Sequence, residues 1–554
     1  MTCPSWWPPL HSIGLPLSSH TRHASAKELH HGQTVDSAAY HKVADIRRWK
    51  DSGEIRMRAV PFLRAVSCVL LTFSAASAAD PQPLGFRLTF DPSISRTPFT
   101  GRVFILLSKN EPGRDLPQSP SWFKPEPIFA KDVKDWQPGK SLVIANDAIG
   151  YPTDLSHLPK GDYFVRAVMD FGRGISFAAA PGNGYCGARR VSFDPHASAP
   201  IDLRLDRVYV ERKFQDSERI KLVEIESKLL SKFHGRPVTL RAAVVLPASW
   251  QASTRRKYPV VYEIPGFGGN HFMASRRQSF TDVGGVEMIW VVLDPSCPLG
   301  HHVFADSANN GPCGQALTEE LIPVIEKRFH GVGSSGARFV TGHSSGGWSS
   351  LWLQVRYPDF FGGVWSTAPD PVDFRDFQQI NLTQPGVNMF YDQKGEQRPV
   401  ARSSGRPTLF YKAFSDMEEV MGHGGQLKSF EAVFSPRGLD GQPKPLWNRK
   451  TGAVDPEVAR EWSAYDIRLY LKRNWATLVP KLKGKIHVYM GGDDTFYLDG
   501  AVRLLGESLK ELGSDAVVEI FPGKNHGTLV DAALRGRINR EMAEQAQQSA
   551  AIPR

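Results

Sequence analysis

The sequence predicts an α/β protein in which a mostly parallel, doubly wound sheet follows an all-β, sandwich-like domain. Two patterns carry this prediction. From about Leu84 to Tyr209 the chain consists of short alternating strands separated by Gly/Pro turns, which is typical of a β-sandwich. After Glu211, apolar β-branched runs of strand length alternate with helical periods, which favours buried parallel strands covered by helices on both faces.

The predicted elements define the domain boundaries. Strands are expected at Gly85–Asp91, Arg102–Ser108, Ser141–Ala145, Asp162–Asp170, Arg189–Phe193, Ile201–Val208, Val238–Leu246, Tyr258–Ile264, Met288–Asp294, Arg338–Thr341, Gly362–Thr367, Lys485–Met490 and Ala516–Phe521, and helices at Leu317 to Phe329 and Gly500 to Leu512. We therefore expect an immunoglobulin-like sandwich at residues 80–210, the α/β domain at 211–540 and a fraying helical tail at 541–554. Residues 373–478, called the insertion segment below, are long and mixed in pattern, and we expect them to cap a cleft.

The first 78 residues follow a different pattern. Residues 1–56 are rich in His and Ser without periodicity, so we interpret them as an upstream extension. From Met57, two arginines precede the apolar run Ala65 to Phe73 and small residues ending at Ala78, the pattern of a secretory signal with an A-x-A cleavage site. The run is too short to span a bilayer. We expect a signal peptide at 57–78 and a secreted or periplasmic protein.

Composition excludes several classes of function. The chain has 554 residues, too many for one core, and a formal net charge of +10. Its basic residues are spread along the chain without a basic helix carrying interleaved aromatics, so we expect no nucleic-acid partner.

No cysteine or histidine spacing typical of a metal site is present, and we expect no metal and no cofactor. The sequence does not indicate an oligomeric state.

Three cysteines remain after the expected cleavage: Cys186, Cys297 and Cys313. Cys297 and Cys313 flank a loop rich in Gly, Pro, His and Asn, and in an oxidising compartment they could form a disulfide. Three free thiols are the alternative. Sequence spacing does not decide between the two.

The pentapeptide Gly342-His343-Ser344-Ser345-Gly346 is the most informative motif. It follows the predicted strand at Arg338–Thr341 and precedes a helix-like stretch, Trp348 to Tyr357. A strand, G-x-S-x-G and a helix are the context of a nucleophile elbow, a sharp turn that exposes the serine hydroxyl. The glycines two positions away on each side select Ser344 rather than Ser345, and His343 is interpreted as a residue that packs the elbow.

Two later loops can supply an acid and a base. The strand Lys485–Met490 ends in Gly491-Gly492-Asp493-Asp494, and the strand Ala516–Phe521 leads into a Gly-containing loop with His526. Serine, acid and histidine then occur in the chain order of this motif. We prefer Asp494 over Asp493 because it lies deeper in its loop. Asp370, after the strand Gly362–Thr367, is a third candidate for the acid.

Hydrolysis at a serine also needs donors for the oxyanion of the tetrahedral intermediate. One is the backbone N–H of Ser345. The other is expected from the glycine-rich loop at residues 265–270, where the candidates are the N–H groups of Phe267 and Gly268.

The stretch from about Leu222 to Leu534 resembles the putative-esterase family of α/β-hydrolases, which includes esterase D, feruloyl esterases and enterochelin esterases. The matching pieces are Tyr258–Tyr262 leading to Gly266–Gly269, Glu320–Glu326, Gly342–Gly347, and the late Asp and His loops. The resemblance implies an α/β-hydrolase fold with Ser344 as nucleophile, Asp494 as acid and His526 as base. A sandwich in front of such a domain is similar to the enterochelin-esterase arrangement, whereas the insertion segment departs from the compact relatives.

We therefore expect a serine carboxylic-ester hydrolase that works through an acyl-enzyme. Acyl transfer by the same residues and a non-catalytic glycan- or peptide-binding protein are the alternatives. The substrate, a small-molecule, glycan or siderophore ester, stays open. Two further sets have candidate roles: aromatic residues that line a pocket or pack in the core (Phe390, Tyr391, Phe410, Tyr411, Trp447), and a polar loop that faces the cleft (His301, His302, Asp306, Asn309, Asn310).

Overall fold

The computed structural model describes residues 85–111, 121–172, 180–197, 199–253 and 255–549. The upstream extension at 1–56 and the signal peptide at 57–78 lie outside the described residues, and both stay predictions.

Short strands fill the N-terminal part, which we call the N-terminal strand region (residues 86–208). They are β1 (Phe86–Phe90), β2 (Phe99–Ser108), β3 (Ile128–Trp136), β4 (Leu142–Ile144), β5 (Ile149–Tyr151), β6 (Gly161–Asp170), β7 (Gly184–Tyr185), β8 (Arg189–Phe193), β9 (Ile201–Leu205) and β10 (Arg207–Val208). One sheet has the order β4-β1-β9, and the other has the order β10-β7-β6-β2-β3-β5 with β8 also paired to β6. The strand predicted as Ile201–Val208 is divided, because β9 pairs with β1 whereas β10 pairs with β7 in the other sheet.

The larger sheet is covered on both faces. Along β2, Val103 and Ile105 pack in the core shared with the smaller sheet, whereas Phe104 and Leu106 pack in the same core as the α/β part of the chain. Successive side chains of a strand point to opposite faces, so each face of this sheet has its own partner. The continuous apolar run of β2 reflects this two-sided burial.

The second part of the chain contains the remaining strands and the helices. Its strands are β11 (Ile220–Glu226), β12 (Thr239–Val245), β13 (Val260–Ile264), β14 (Asp282–Val283), β15 (Val286–Glu287), β16 (Ile289–Leu293), β17 (Ser296–Cys297), β18 (Gly300–His301), β19 (Asp306–Ser307), β20 (Gly311–Pro312), β21 (Arg338–His343), β22 (Gly363–Thr367), β23 (Pro399–Ser403), β24 (Arg406–Phe410), β25 (Ile486–Gly491) and β26 (Val517–Phe521). Its helices are α1 (Lys228–His234), α2 (Cys313–Ala316), α3 (Ile322–Phe329), α4 (Ser345–Arg356), α5 (Tyr411–Met421), α6 (Gln426–Phe434), α7 (Pro456–Trp462), α8 (Ile467–Leu482), α9 (Asp499–Glu511) and α10 (Ala532–Gln548). Among the described helices, none has the length and apolar character to cross a membrane.

A single eight-stranded sheet organises this part, with the order β11-β12-β16-β13-β21-β22-β25-β26. β12 is antiparallel to both of its neighbours. The six strands that follow it in this order, β16, β13, β21, β22, β25 and β26, are mutually parallel. Parallel neighbours place their carboxyl ends at one edge of the sheet. The loops after β13, β21, β22, β25 and β26 therefore meet at that edge, as in other open parallel sheets that bind ligands there.

Helices cover both faces of the sheet. On β22, the Trp365 indole Nε1 donates to Glu541 of α10 at 2.9 Å, and the hydroxyl of the next residue, Ser366, donates to the Gly347 carbonyl of α4 at 2.8 Å. Neighbouring residues of a strand point to opposite faces, so α4 and α10 lie on opposite sides. α10 also continues through the boundary predicted at residues 540 and 541. Met542, which lies beyond that boundary, is fully buried.

Candidate active site

The elbow between β21 and α4 exposes Ser344 at the carboxyl edge of the sheet. Ser344 has φ 62° and ψ −126°, a left-handed backbone that costs a non-glycine residue about 1–3 kcal/mol. The two flanking glycines make the turn possible. A Cβ added at Gly342 would lie 2.2 Å from the carbonyl oxygen of Gly346, and one added at Gly346 would lie 1.9 Å from the carbonyl oxygen of Ile264. The spacing of the motif thus follows from packing.

His526 lies beside this elbow. Its ring centroid is 4.6 Å from that of His343, the residue that precedes Ser344. His343 is itself neutral, because burial and the neighbouring His526 lower its pKa to about 3. Its Nδ1 lies 3.0 Å from the hydroxyl oxygen of Thr367 on β22. His343, the last residue of β21, therefore packs between Thr367 and the ring of His526.

Asp494 holds His526 in place. Its Oδ2 lies 2.7 Å from Nδ1 of His526, and its Oδ1 accepts the backbone N–H groups of Phe496 and Leu498 at 2.8 and 3.3 Å. Burial opposes ionisation of this carboxyl, yet His526 and the two N–H groups hold its pKa below the usual value. The side chain of the neighbouring Asp493 is exposed. Of the two aspartates, Asp494 is the one that contacts the histidine.

Asp370, the third candidate acid, has other partners. Its Oδ2 accepts the Ser345 hydroxyl at 2.5 Å and lies 3.4 Å from Nε2 of Gln426. Burial raises the pKa of Asp370 to about 6, the nearby charge of Asp494 acts in the same direction, and the Ser345 hydroxyl opposes the shift. Asp370 is thus a buried carboxyl beside the elbow.

Gln426 is a site residue that sequence reasoning missed. It begins α6 within the insertion segment, and its Nε2 also donates to Ser345 Oγ at 3.2 Å. The insertion segment therefore contacts the residue that follows Ser344. A glutamine at the start of a helix 82 positions after the elbow carries no local signal that could have identified it.

The glycine-rich loop after β13 passes directly against Ser344. A Cβ added at Gly266 would lie 3.3 Å from Ser344 Cβ and 3.0 Å from the carbonyl oxygen of His343. Gly268 has φ 77°, which favours glycine. The backbone that carries Phe267 and Gly268 therefore runs beside Ser344, where the sequence predicts oxyanion donors.

His301 of the predicted polar loop braces this glycine-rich loop. Its Nδ1 accepts the N–H of Val303 at 3.2 Å, so Nε2 carries the proton and donates to the Pro265 carbonyl at 2.8 Å. Burial lowers the pKa of His301 to about 4, which keeps the ring neutral.

The other members of the polar loop serve packing. His302 accepts the N–H of Phe304, Asp306 accepts two N–H groups at the start of α2, Asn309 donates to Ser435, and Asn310 donates to Ala432. All of these side chains except Asp306 are buried, so the polar loop does not as a whole face the cleft.

Of the two alternatives for the cysteines, a disulfide or free thiols, the structure has the free thiols. Cys297 and Cys313 are free thiols, as is Cys186. Asn310 binds both: Cys297 Sγ lies 3.5 Å from its side-chain oxygen, and Cys313 Sγ lies 3.3 Å from its carbonyl oxygen. Each sulfur is directed to an oxygen of Asn310, and burial raises the pKa of both thiols, that of Cys297 to about 12.

The aromatic residues suggested for a pocket divide into two groups. Phe390, Tyr411 and Trp447 are buried in the main core, and the Tyr411 hydroxyl donates to Gln378. Tyr391 and Phe410 are partly exposed. For the three buried side chains, core packing is the role that the structure gives.

Comparison with known proteins identifies the family. The family model described as "Putative esterase" matches residues 235–512, which include Ser344 and Asp494, whereas His526 lies beyond the match. No curated protein matches the chain.

Similar solved structures include a ferulic acid esterase, with 17% identity, 59% of this chain and 98% of that chain covered, and a TM-score of 0.37. A fluorophosphonate-binding serine hydrolase F from Staphylococcus aureus has 12% identity, with 59% and 98% covered and a TM-score of 0.36. An S-formylglutathione hydrolase from Agrobacterium tumefaciens has 14% identity, with 59% and 94% covered and a TM-score of 0.35. Because the family model covers half of the chain and spans the mostly parallel sheet from β12 to β25, the chain belongs to the putative esterase family and is an esterase with an α/β-hydrolase fold.

Proposed function

We propose that the protein hydrolyses carboxylic esters by a Ser344–His526–Asp494 triad through an acyl-enzyme. The observation that carries the proposal is the position of His526. Its Nδ1 lies 2.7 Å from the carboxylate of Asp494, and its ring packs on His343, the residue that precedes Ser344. An unassisted serine hydroxyl is a weak nucleophile at neutral pH, and a neighbouring imidazole that removes its proton activates it. A buried carboxylate holds that imidazole in one tautomer and stabilises the imidazolium.

In the first half-reaction, Ser344 Oγ attacks the ester carbonyl carbon while His526 takes the hydroxyl proton. The N–H of Ser345, together with that of Phe267 or Gly268, stabilises the oxyanion of the tetrahedral intermediate. Collapse of the intermediate breaks the carbon–oxygen bond to the alcohol, and His526 returns the proton to the departing alcohol. The product is an acyl group on Ser344.

In the second half-reaction, water replaces the alcohol. His526 removes a proton from water, which attacks the acyl carbonyl carbon, and the second intermediate expels Ser344 Oγ with the proton returned from His526. A carboxylic acid leaves and the free enzyme is restored. Asp494 stays ionised throughout.

The test is the hydrolysis of p-nitrophenyl acetate, with covalent labelling by a fluorophosphonate probe as a second readout. Ser344→Ala should lose both turnover and labelling while the unfolding midpoint stays close to that of the parent protein. Ser334→Ala is the matched control, because Ser334 is exposed and precedes the opposite end of β21. Labelling that persists in Ser344→Ala would show that another residue is the nucleophile.

We also propose that the enzyme is exported, with the signal peptide at residues 57–78, and that the N-terminal strand region is an all-β, sandwich-like domain of the mature protein. The leader pattern of the sequence and the two sheets that share one apolar core support these proposals. N-terminal sequencing of protein recovered outside the cytoplasm should begin at Ala79. A mature protein that starts within residues 1–56 would refute the leader assignment.

A further inference from the structure

An aromatic side chain of the N-terminal strand region reaches the catalytic half of the molecule. Trp122 lies between β2 and β3, and its ring centroid is 4.8 Å from that of Phe414 and 6.0 Å from those of Phe267 and Phe496. Phe414 belongs to α5 of the insertion segment, Phe267 to the loop after β13, and Phe496 to the loop after β25. A single indole thus touches three separate chain segments that surround the site.

Two of these rings lie next to the reacting groups. Phe496 packs edge-on against His526, with ring centroids 5.0 Å apart. Phe267 directly follows Gly266, whose added Cβ would lie 3.3 Å from Ser344 Cβ. The ring of Phe496 therefore lies between Trp122 and His526, and Phe267 and Gly266 lie between Trp122 and Ser344.

The cluster is not closed to solvent. Trp122 and Phe267 are partly exposed, and Phe123, whose ring centroid is 6.5 Å from that of Phe496, is 43% exposed. Phe414 and Phe496 are buried beneath them. The rings of Trp122, Phe123 and Phe267 therefore keep part of their surface accessible above two buried rings.

Several contacts fix the N-terminal strand region against the insertion segment, so that Trp122 has a defined position. Arg102 Nη1 on β2 donates to the carbonyl oxygens of Glu419 and Val420 at 2.7 and 3.1 Å. At the end of β6, buried Asp170 pairs with His423 at 2.9 Å. One face of the larger sheet also packs in the same core as the α/β part.

We propose that Trp122 is a specificity-determining residue, one wall of a subsite that takes an aromatic or bulky apolar group of the ester next to its scissile carbonyl. Rings arranged edge-on and offset accept another ring in the same geometries, and they gain apolar contact without a polar partner. The inference rests on the proposed function, because the bound group must present its carbonyl to Ser344.

The test compares Trp122→Ala and Trp122→Phe with the parent protein on two ester series. One series varies the acyl group on a fixed p-nitrophenyl alcohol (acetate, benzoate), and the other varies the alcohol on a fixed acetyl group (methyl, phenyl, naphthyl). We expect Trp122→Ala to lower kcat/KM roughly tenfold or more for the bulky aromatic members of one series, and Trp122→Phe to lower it less. Methyl acetate should change by at most about twofold. The series that responds identifies whether the group belongs to the acid or the alcohol.

Trp250→Ala is the matched control, because Trp250 is a partly exposed tryptophan that packs on Phe329 at the end of α3, outside this cluster. An equal loss for all esters, or no loss for any, would overturn the proposal. If Trp122→Ala fails to fold, the same comparison with Trp122→Phe decides it. Fluorophosphonate labelling of Ser344 should persist in both variants, so a failure of this inference is distinguishable from a failure of the triad, which Ser344→Ala detects by itself.

Discussion

His301 Nε2 donates a hydrogen bond of 2.8 Å to the carbonyl oxygen of Pro265. Pro265 is the first residue of the loop that presses against Ser344 and carries the proposed oxyanion donors of Phe267 or Gly268. Because His301 is buried and neutral, the bond does not depend on pH across the neutral range. His301 thus fixes the position of the loop from a buried site.

We predict that His301→Ala lowers kcat by roughly 10- to 100-fold with a smaller change in KM, because a displaced loop stabilises the transition state less while still binding substrate. His301→Gln, whose amide N–H can replace Nε2–H, should recover part of the loss. Steady-state kinetics on p-nitrophenyl acetate checks both. His234→Ala is the control, since the imidazole of His234 also donates to a carbonyl oxygen, that of Asn310, at 3.2 Å. A loss confined to the unfolding midpoint would contradict the positioning role.

The two adjacent aspartates give a second prediction. Asp494→Asn should reduce kcat by about 10³- to 10⁴-fold, because an amide can no longer hold His526 in the required tautomer. Asp493→Asn should change kcat by at most about twofold, since its side chain is exposed. The two variants carry the same chemical change at adjacent positions. Equal losses in the two variants would show that Asp494 is not the triad acid.

Much of the α/β part could be predicted from sequence because its central strands are largely buried. Ile289–Leu293 is continuous and apolar, Val260–Ile264 is interrupted only by Glu263, and each run is flanked by turn residues. β3 and β11 were missed because charged residues interrupt their apolar pattern. On β3 these charges form ion pairs, Lys131 with Asp147 in the turn between β4 and β5 and Asp132 with Arg102 on β2, so a strand forms where the local pattern did not indicate one.

The candidate site likewise contains residues that the sequence could predict and residues that it could not. Ser344, Asp494 and His526 each follow a predicted strand at a glycine-containing turn, so their signals are local and their order along the chain joins them. Gln426 and Trp122 have no local signal. Each reaches the site through contacts with residues more than 80 positions away, and only the packing of the insertion segment and of the N-terminal strand region places them there.

The free thiols give a third prediction. Protein that starts at Ala79 should contain three titratable thiols when unfolded without reductant, from Cys186, Cys297 and Cys313. The folded protein should react slowly with a thiol reagent, because burial raises the pKa of each thiol and the thiolate is the reactive form. Titration with dithionitrobenzoate before and after denaturation measures both. One thiol per unfolded chain would restore the Cys297–Cys313 disulfide.

Asp370 gives the last prediction, which concerns stability against pH. Its pKa is raised by burial from 3.8 to about 6, with Asp494 acting in the same direction and the Ser345 hydroxyl and His526 opposing it. A carboxyl whose pKa is raised on folding contributes stability in its protonated form. That contribution is fully present below pH 3.8 and is lost as pH rises through about 6.

Asp370→Asn removes this titration, since an amide stays neutral. The unfolding free energy of the variant minus that of the parent protein should therefore rise by about 2 kcal/mol between pH 4 and pH 7.5, whatever its value at pH 4. Chemical denaturation at several pH values measures the difference. Asp376 has a raised pKa as well, yet its carboxyl is only partly buried, so Asp376→Asn should produce a smaller movement in the same direction. A difference for Asp370→Asn that stays flat, or that moves in favour of the parent protein, would mean that Asp370 is ionised at low pH beside the elbow.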